Sequence, residues 1–147
     1  MMKKARQINV AVLGDGGWGT TLAILLSNKG YNVRLWSAFS DYAALLDKKR
    51  INAKFLDGIS IPRNILITAD MAEAVSKANC IVLAIPSQYL RSVLRRLTEI
   101  KAGRNTIYLS AAKGIEIGSL KRMSEVIHEE LGPVKLAVLS GPTIAHE

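Results

Sequence analysis

The stretch VLGDGGWGTTLA, residues 12–23, places Gly14, Gly16 and Gly19 at the spacing G-x-G-x-x-G. A short apolar run rich in β-branched residues precedes it at residues 8–13, and apolar residues at helical spacing follow it. Between a strand and a helix, this motif is typical of a turn that binds a dinucleotide pyrophosphate, because the helix N-terminus offers free N–H groups. We expect Gly14 to permit the tight turn, Gly16 to let backbone approach the phosphates and Gly19 to let the helix pack against the strand. The alternative is a glycine turn that joins the two elements without holding a ligand.

Strands and helices alternate along the rest of the chain. The apolar runs predict strands over residues 8–13, 32–36, 65–68, 80–85, 106–110 and 135–139. Helical periodicity predicts helices after the glycine turn and over residues 41–50, 71–77, 87–100 and 120–131. The first helix has Trp18, Leu22, Leu25 and Leu26 on one face, and residues 51–64 form the one long connection. This alternation predicts an α/β fold with a doubly wound, mostly parallel sheet, a Rossmann-like dinucleotide-binding domain over residues 1–147.

Composition limits the class of protein. The chain has 147 residues, 49% of them hydrophobic and 22% charged, which is typical of one folded globular domain. No apolar run approaches the ~20 residues that a membrane-spanning helix needs. The single cysteine, Cys80, lies in an apolar run without a thiol or histidine beside it, which favours a buried, reduced thiol in a cytoplasmic protein. The sequence predicts no metal site.

The net charge of +8 favours anionic partners without specifying one. Basic residues are scattered, with short clusters at residues 48–50 and 95–96, and aromatic residues are not interleaved with them as in single-stranded nucleic acid binders. Most of these charges are explained as solvated helix faces, and no nucleic acid partner is predicted.

The end of the second strand leaves the type of cofactor open. An acidic residue ~20 positions after the glycines usually holds the ribose of the adenosine, and a basic residue nearby accommodates a 2′-phosphate. Neither is present, because Trp36, Ser37 and Ala38 occupy this strand end. Asp41 lies further along the chain, and Arg34 lies within the strand, where the sequence does not fix its direction.

Three further segments follow predicted strands, at the sheet edge where this architecture binds ligands. They are IPSQYLR (85–91), SAAKGIE (110–116) and SGPTIAHE (140–147). Pro86 and Pro142 have a structural explanation, since a proline ends a strand. Lys113 is followed by a glycine, so a cation at a bend of the chain can reach an anionic ligand, and we favour ligand contact over a solvated lysine.

Six segments in order resemble the bacterial-type NAD(P)-dependent glycerol-3-phosphate dehydrogenases. GDGGWGTTLA and NAKFLDGISIP are similar to the family motifs G-x-G-x-[WY]-G-T-A-L-A and N-x-x-Y-L-P-G-x-x-L-P, although FLD replaces YLP. IPSQYLR, KGIE, MSEVIHEELG and LSGPTIAHE follow in the family's order. The family often has histidine or arginine near the position of Ala38, so the choice between NAD and NADP stays open.

The resemblance implies roles for individual residues. It places Gly17 and Trp18 on the cofactor, Lys113 on both cofactor and substrate, and Ala145 against the cofactor. Gly141 and Thr143 would help to hold the phosphate end of the substrate. Together with the motif and the strand ends, the candidate cofactor contacts are Gly14, Gly16, Gly17, Trp18, Gly19, Ala38, Pro86, Lys113 and Ala145.

The reaction implied is the interconversion of dihydroxyacetone phosphate and sn-glycerol 3-phosphate, which feeds glycerophospholipid synthesis. In the family a helical second domain supplies the catalytic lysine, so we expect no catalytic residue among residues 1–147 and no turnover by this chain alone. The family also leaves a homodimer open as the assembly. The alternatives are a 6-phosphogluconate- or ketopantoate-type dehydrogenase domain, against which KGIE and LSGPTIAHE argue, and a non-catalytic nucleotide-sensing module.

Overall fold

The computed structural model describes residues 7–100, 103 and 105–141. The strands are β1 Asn9–Leu13, β2 Asn32–Trp36, β3 Ile51–Asn52, β4 Leu56–Ser60, β5 Leu66–Thr68, β6 Cys80–Leu83, β7 Ile107–Ser110 and β8 Lys135–Val138. The helices are α1 Gly17–Asn28, α2 Ser40–Lys49, α3 Met71–Val75, α4 Ser87–Thr98 and α5 Met123–Leu131.

Six strands form one sheet in the order β5-β2-β1-β6-β7-β8, and all of its pairings are parallel. The order reverses beside β1, so the connections that follow β1 and β6 run to opposite faces of the sheet and leave a crevice for a ligand at the carboxyl ends of these strands. The doubly wound, Rossmann-like fold predicted from the alternation is therefore confirmed.

Helices cover the sheet on two faces, which explains why the central strands are apolar on both sides. One face forms a core in which Leu13, Trp36 and Leu83 pack with residues of α3, α4 and α5. The opposite face brings Val12 and Leu35 of the sheet together with residues of α1 and α2. These two cores fix the position of α1 and α4 on either side of the crevice.

Two helix predictions need correction. Leu25 was expected on the apolar face of α1 but is 50% exposed, because that helix packs through its small residues Gly19, Thr20 and Ala23 together with Leu22. The helix expected from residue 120 begins at Met123, since Leu120 has a φ of 57° and lies in a turn. Local hydrogen bonding explains the later start.

The start of α5 is set by a capping interaction. The backbone N–H of Arg122 donates to a carboxylate oxygen of Glu125 at 2.9 Å, which satisfies a donor ahead of the first turn. The residues before it close a turn in which the N–H of Glu116 donates to the carbonyl of Lys121 at 2.9 Å.

The connection over residues 51–64 contains the antiparallel hairpin β3–β4, which the sequence analysis missed. A strand of two residues is too short to show an alternating pattern. The hairpin lies beside the glycine turn and contributes residues to the candidate site.

Among the described residues, no helix has the length and apolar character that crossing a membrane requires. In the same part of the chain, no three His, Cys, Asp or Glu side chains group as metal ligands. Cys80 is half-buried rather than fully buried, and this burial raises the pKa of its thiol.

Candidate functional site

The three glycines of the opening motif have different surroundings. A Cβ on Gly14 would lie 2.3 Å from the carbonyl oxygen of Ala84, and its φ of +116° strains any other residue. A Cβ on Gly19 would lie 2.0 Å from the carbonyl oxygen of Gly14. A Cβ on Gly16 would meet no atom within 4 Å. Gly14 and Gly19 are therefore required by the fold, whereas nothing in the described chain itself requires a glycine at position 16.

The N-terminus of α1 opens from this turn without a side-chain cap. Gly16 is the N-cap residue, no side chain bonds to the first N–H groups, and no acidic residue lies in the first turn. Free N–H groups and the positive end of the helix dipole make such a terminus attractive to an anion. Within the described residues, the arrangement suits a phosphate approaching Gly16 and Gly17.

Asn52, at the end of β3, holds the glycine turn from behind. Its Nδ2 donates to the carbonyl oxygen of Asp15 and to Oγ1 of Thr20, both at 2.7 Å, and the side chain is fully buried. Its Oδ1 accepts from the hydroxyl of Tyr42 at 2.7 Å. The sequence analysis missed this residue, and the available signal was an asparagine opening the segment NAKFLDG between two apolar runs.

Two polar atoms of the turn are buried without a hydrogen-bond partner among the described residues: Oδ2 of Asp15 and Nε1 of Trp18. Burial first, and then the negative charge of Asp15, raise the pKa of the Tyr42 hydroxyl on α2. An orphaned indole N–H beside a helix N-terminus can donate to a ligand that enters the crevice.

One cavity of about 1040 Å³ brings most of the predicted residues together. It is lined by the whole glycine turn from Gly14 to Gly19, by Ala38 after β2, by Pro86 after β6 and by Lys113 after β7. The carboxyl ends of four neighbouring strands thus face one space, as expected for a doubly wound sheet.

Other lining residues were not predicted from the sequence. Phe39 and Tyr89 expose 69% and 66% of their surface and line the same cavity. On α4, Tyr89 is followed along the cavity by Ser92, Val93 and Arg96. Their spacing of three, four and seven residues is the signal that could have identified this helix face.

The hairpin contributes a cation and an aromatic ring to the cavity. Phe55 stands where the family motif has tyrosine, and its ring meets that of Tyr42 edge to face at 6.3 Å between centroids. The ammonium of Lys54 lies 4.9 Å from the centre of the Phe55 ring. All three side chains line the cavity.

The loop that carries Lys113 is fastened to α4. Gln88 donates to the carbonyl of Ile115 at 2.8 Å and accepts from the N–H of Ile117 at 2.9 Å. The guanidinium of Arg91 holds both carboxylate oxygens of Glu116, at 2.7 and 2.8 Å. This guanidinium, followed by the Ser119 hydroxyl, lowers the pKa of Glu116 to about 2.

The same guanidinium also joins the loop to α5. It donates to Glu129 at 2.8 Å and to Glu130 at 2.6 Å, so three carboxylates surround Arg91. Its hydrogen bonds to these carboxylates, first that to Glu116, raise the pKa of Arg91 above its ordinary value. α4, α5 and the Lys113 loop therefore form one connected unit beside the cavity.

Polar side chains in and just after β2 bond to backbone carbonyls. Arg34 donates to the carbonyls of Glu73 and Ser76 at 2.8 and 2.6 Å, so its guanidinium is bonded to the C-terminal end of α3. The hydroxyl of Ser37 donates to the carbonyl of Phe39 at 3.2 Å. Asp41 lines the cavity from the first turn of α2.

The predicted substrate contacts are only partly described. Gly141 has a φ of +140° and does not belong to the cavity lining. Thr143, Ala145 and Pro142 lie outside the described residues.

Comparison with known proteins identifies the family to which this arrangement belongs. The family described as NAD-dependent glycerol-3-phosphate dehydrogenase N-terminus matches residues 9–147. The chain belongs to this family. The glycerol-3-phosphate dehydrogenase [NAD(P)+] of Pelodictyon phaeoclathratiforme is 46% identical over 144 residues, which are 95% of this chain and 43% of that protein. The same enzyme of Chlorobium phaeobacteroides is 44% identical over 143 residues, which are 95% of this chain and 42% of that protein.

A solved structure agrees with these relatives. The crystal structure of glycerol-3-phosphate dehydrogenase from Coxiella burnetii superposes with a TM-score of 0.88 at 32% identity, over 95% of this chain and 42% of that one. The resemblance inferred from the six segments is confirmed, and membership of the glycerol-3-phosphate dehydrogenase family supports neither the 6-phosphogluconate- or ketopantoate-type reading nor the sensing module. The chain spans less than half the length of the relatives it matches.

Proposed function

We propose that this chain is the cofactor-binding half of an enzyme that interconverts dihydroxyacetone phosphate and sn-glycerol 3-phosphate with NAD(P)H. The observation that carries the proposal is the open space beside Gly16. Gly14 and Gly19 are required by neighbouring backbone, whereas Gly16 borders a cavity that a larger residue would enter. Gly16 has open space around it and lies at the N-terminus of a helix without a side-chain cap. Such a glycine fits a turn whose backbone binds a pyrophosphate.

The residues around the cavity suit the rest of a dinucleotide. Gly17 and the indole N–H of Trp18 would meet the pyrophosphate from the start of α1. The exposed rings of Phe39 and Tyr89 offer apolar surface for the adenine, beyond the end of β2 near Ala38. Pro86 would bound the nicotinamide side of the cavity.

Lys113 would contact both cofactor and substrate, because it lines the cavity beside the strand end of β7. Gly141 and Thr143 are proposed for the phosphate end of the substrate, and Ala145 for the cofactor. These three roles rest on the family motif LSGPTIAHE.

The proposed reaction needs more than this half provides. A bound nicotinamide supplies the hydride to the ketone carbon, and the alcohol oxygen that forms must gain a proton from a positioned acid. We assign that acid to a lysine of a helical second domain, as in the family. The proposed setting is the cytoplasm, where the product would enter glycerophospholipid synthesis, and a homodimer is the assembly to test.

Calorimetric titration of the chain with NADH tests the proposal, with Gly16→Val as the decisive variant. The branched side chain would occupy space that the pyrophosphate needs, so we expect the affinity to fall at least about tenfold, or ~1.4 kcal/mol. The backbone of Gly16 is extended with a negative φ, so the fold should tolerate the change.

Ala44→Val on the exposed side of α2 is the matched control, because it adds the same branch away from the cavity. Circular dichroism would verify the fold of both variants. Equal NADH binding by the parent chain and Gly16→Val would contradict the assignment of the turn.

A further inference from the structure

Arg96 of α4 lies against the end of β2, although the two are far apart in sequence. The guanidinium carbon is 5.4 Å from the centre of the Trp36 ring, and Arg96 lines the cavity together with Trp36, Ala38 and Phe39. A guanidinium over an indole face is attracted by the ring and keeps a defined orientation. Trp36 is itself held in place, because its Nε1 donates to the carbonyl of Ala69 at 3.0 Å.

Among the described residues, Arg96 forms no ion pair with a carboxylate. Asp70 and Glu99 line a second pocket together with Arg96, yet neither forms an ion pair with it. Asp70 instead accepts from backbone N–H groups at the start of α3. The neighbouring Arg95 differs, because it pairs with Glu130 of α5.

Within the part of the chain that the structure describes, the other cations of the cavity and of β2 lie elsewhere or are already bonded. Lys54 lies over the hairpin rings, Lys113 follows β7, and Arg34 is bonded to the carbonyls of α3. At the strand end, Ala38 has no polar group and the hydroxyl of Ser37 bonds to backbone. Asp41 also lines the cavity, and its negative charge would repel a phosphate group bound at the end of β2.

We propose that Arg96 binds the 2′-phosphate of NADPH and so replaces the cation that the end of β2 lacks. The inference rests on the proposed function, since it assumes that the adenosine lies at the end of β2. A guanidinium presents a planar set of donors that matches two phosphate oxygens, and it stays charged at any physiological pH. Stacking on Trp36 orients these donors before the ligand arrives, which reduces the ordering cost of binding.

The test compares NADPH and NADH binding to the 147-residue chain and its Arg96→Met variant by calorimetric titration. Methionine keeps an apolar chain over the indole and removes the charge. We expect the affinity for NADPH to fall at least about fivefold and that for NADH to change less than about twofold. Adenosine 2′,5′-bisphosphate should lose affinity in the same way, whereas adenosine 5′-diphosphate should not.

Arg95→Met is the matched control, because it removes the adjacent arginine of the same helix outside the cavity, and both affinities should stay within about twofold. An equal loss of NADH and NADPH binding in Arg96→Met would overturn the proposal, since it would mean that Arg96 packs on the adenine. Unchanged NADPH binding would overturn it as well. Failure of the parent chain to bind NADH would instead reject the proposed function, and this assignment with it.

Discussion

Among single residues, Asn52 has the largest predicted effect on the glycine turn, because it is fully buried and bonds to Asp15, Thr20 and Tyr42. Asn52→Leu removes these bonds and leaves several buried polar groups unsatisfied. We expect the free energy of unfolding to fall by about 3 kcal/mol. Urea denaturation measures this value, and Asn28→Leu on the exposed end of α1 should stay within about 0.5 kcal/mol of the parent. A loss for Asn52→Leu no larger than that of the control would show that Asn52 does not hold the turn.

Among the elements, the connection between α4 and the Lys113 loop should depend on pH through Glu116. The Arg91 guanidinium lowers the pKa of this carboxyl to about 2, against an ordinary value of 4.5. Since the folded-state pKa is depressed, the stabilisation is present above pH 4.5 and is lost as the pH falls towards about 2. The difference in Tm between the parent and Glu116→Gln should therefore shrink over this range. Gln88→Leu removes neutral hydrogen bonds to the same loop, so its difference should not follow that titration, and a constant difference for Glu116→Gln would refute the linkage.

At the scale of the whole molecule, we expect the chain to bind cofactor without catalysing the proposed reaction. Hydride transfer needs a substrate held against the nicotinamide, a positioned proton donor and exclusion of water. Lys113, the lysine of the proposed substrate side, is exposed to solvent. Mixing the chain with NADH and dihydroxyacetone phosphate should give no loss of NADH absorbance above a protein-free control. Turnover at an enzyme-like rate would disprove the assignment of the proton donor to a second domain.

The sequence allowed prediction of the fold and of eight of the residues that line the cavity, those of the glycine turn and of the strand ends. Alternating apolar runs, helical periodicity and the spacing of the glycines are all patterns within short stretches of the chain. The same local reasoning failed for Leu25, which is exposed because α1 packs through small residues, and for Leu120, which lies in a turn ahead of α5. For Leu25 the packing of α1 decided the outcome, whereas for Leu120 it was the local capping interaction between Arg122 and Glu125.

By itself the sequence determined the order of the helices and of the six strands of the main sheet, the place of the glycine turn between β1 and α1, and the strand ends that carry Ala38, Pro86 and Lys113. These features follow from backbone conformation and side-chain periodicity, which act over short stretches of chain. Only the tertiary structure decided that Asn52 supports the turn from the hairpin and that Arg96 lies over Trp36. Such contacts join residues far apart in sequence, and they depend on how the crossover helices place one strand end beside another.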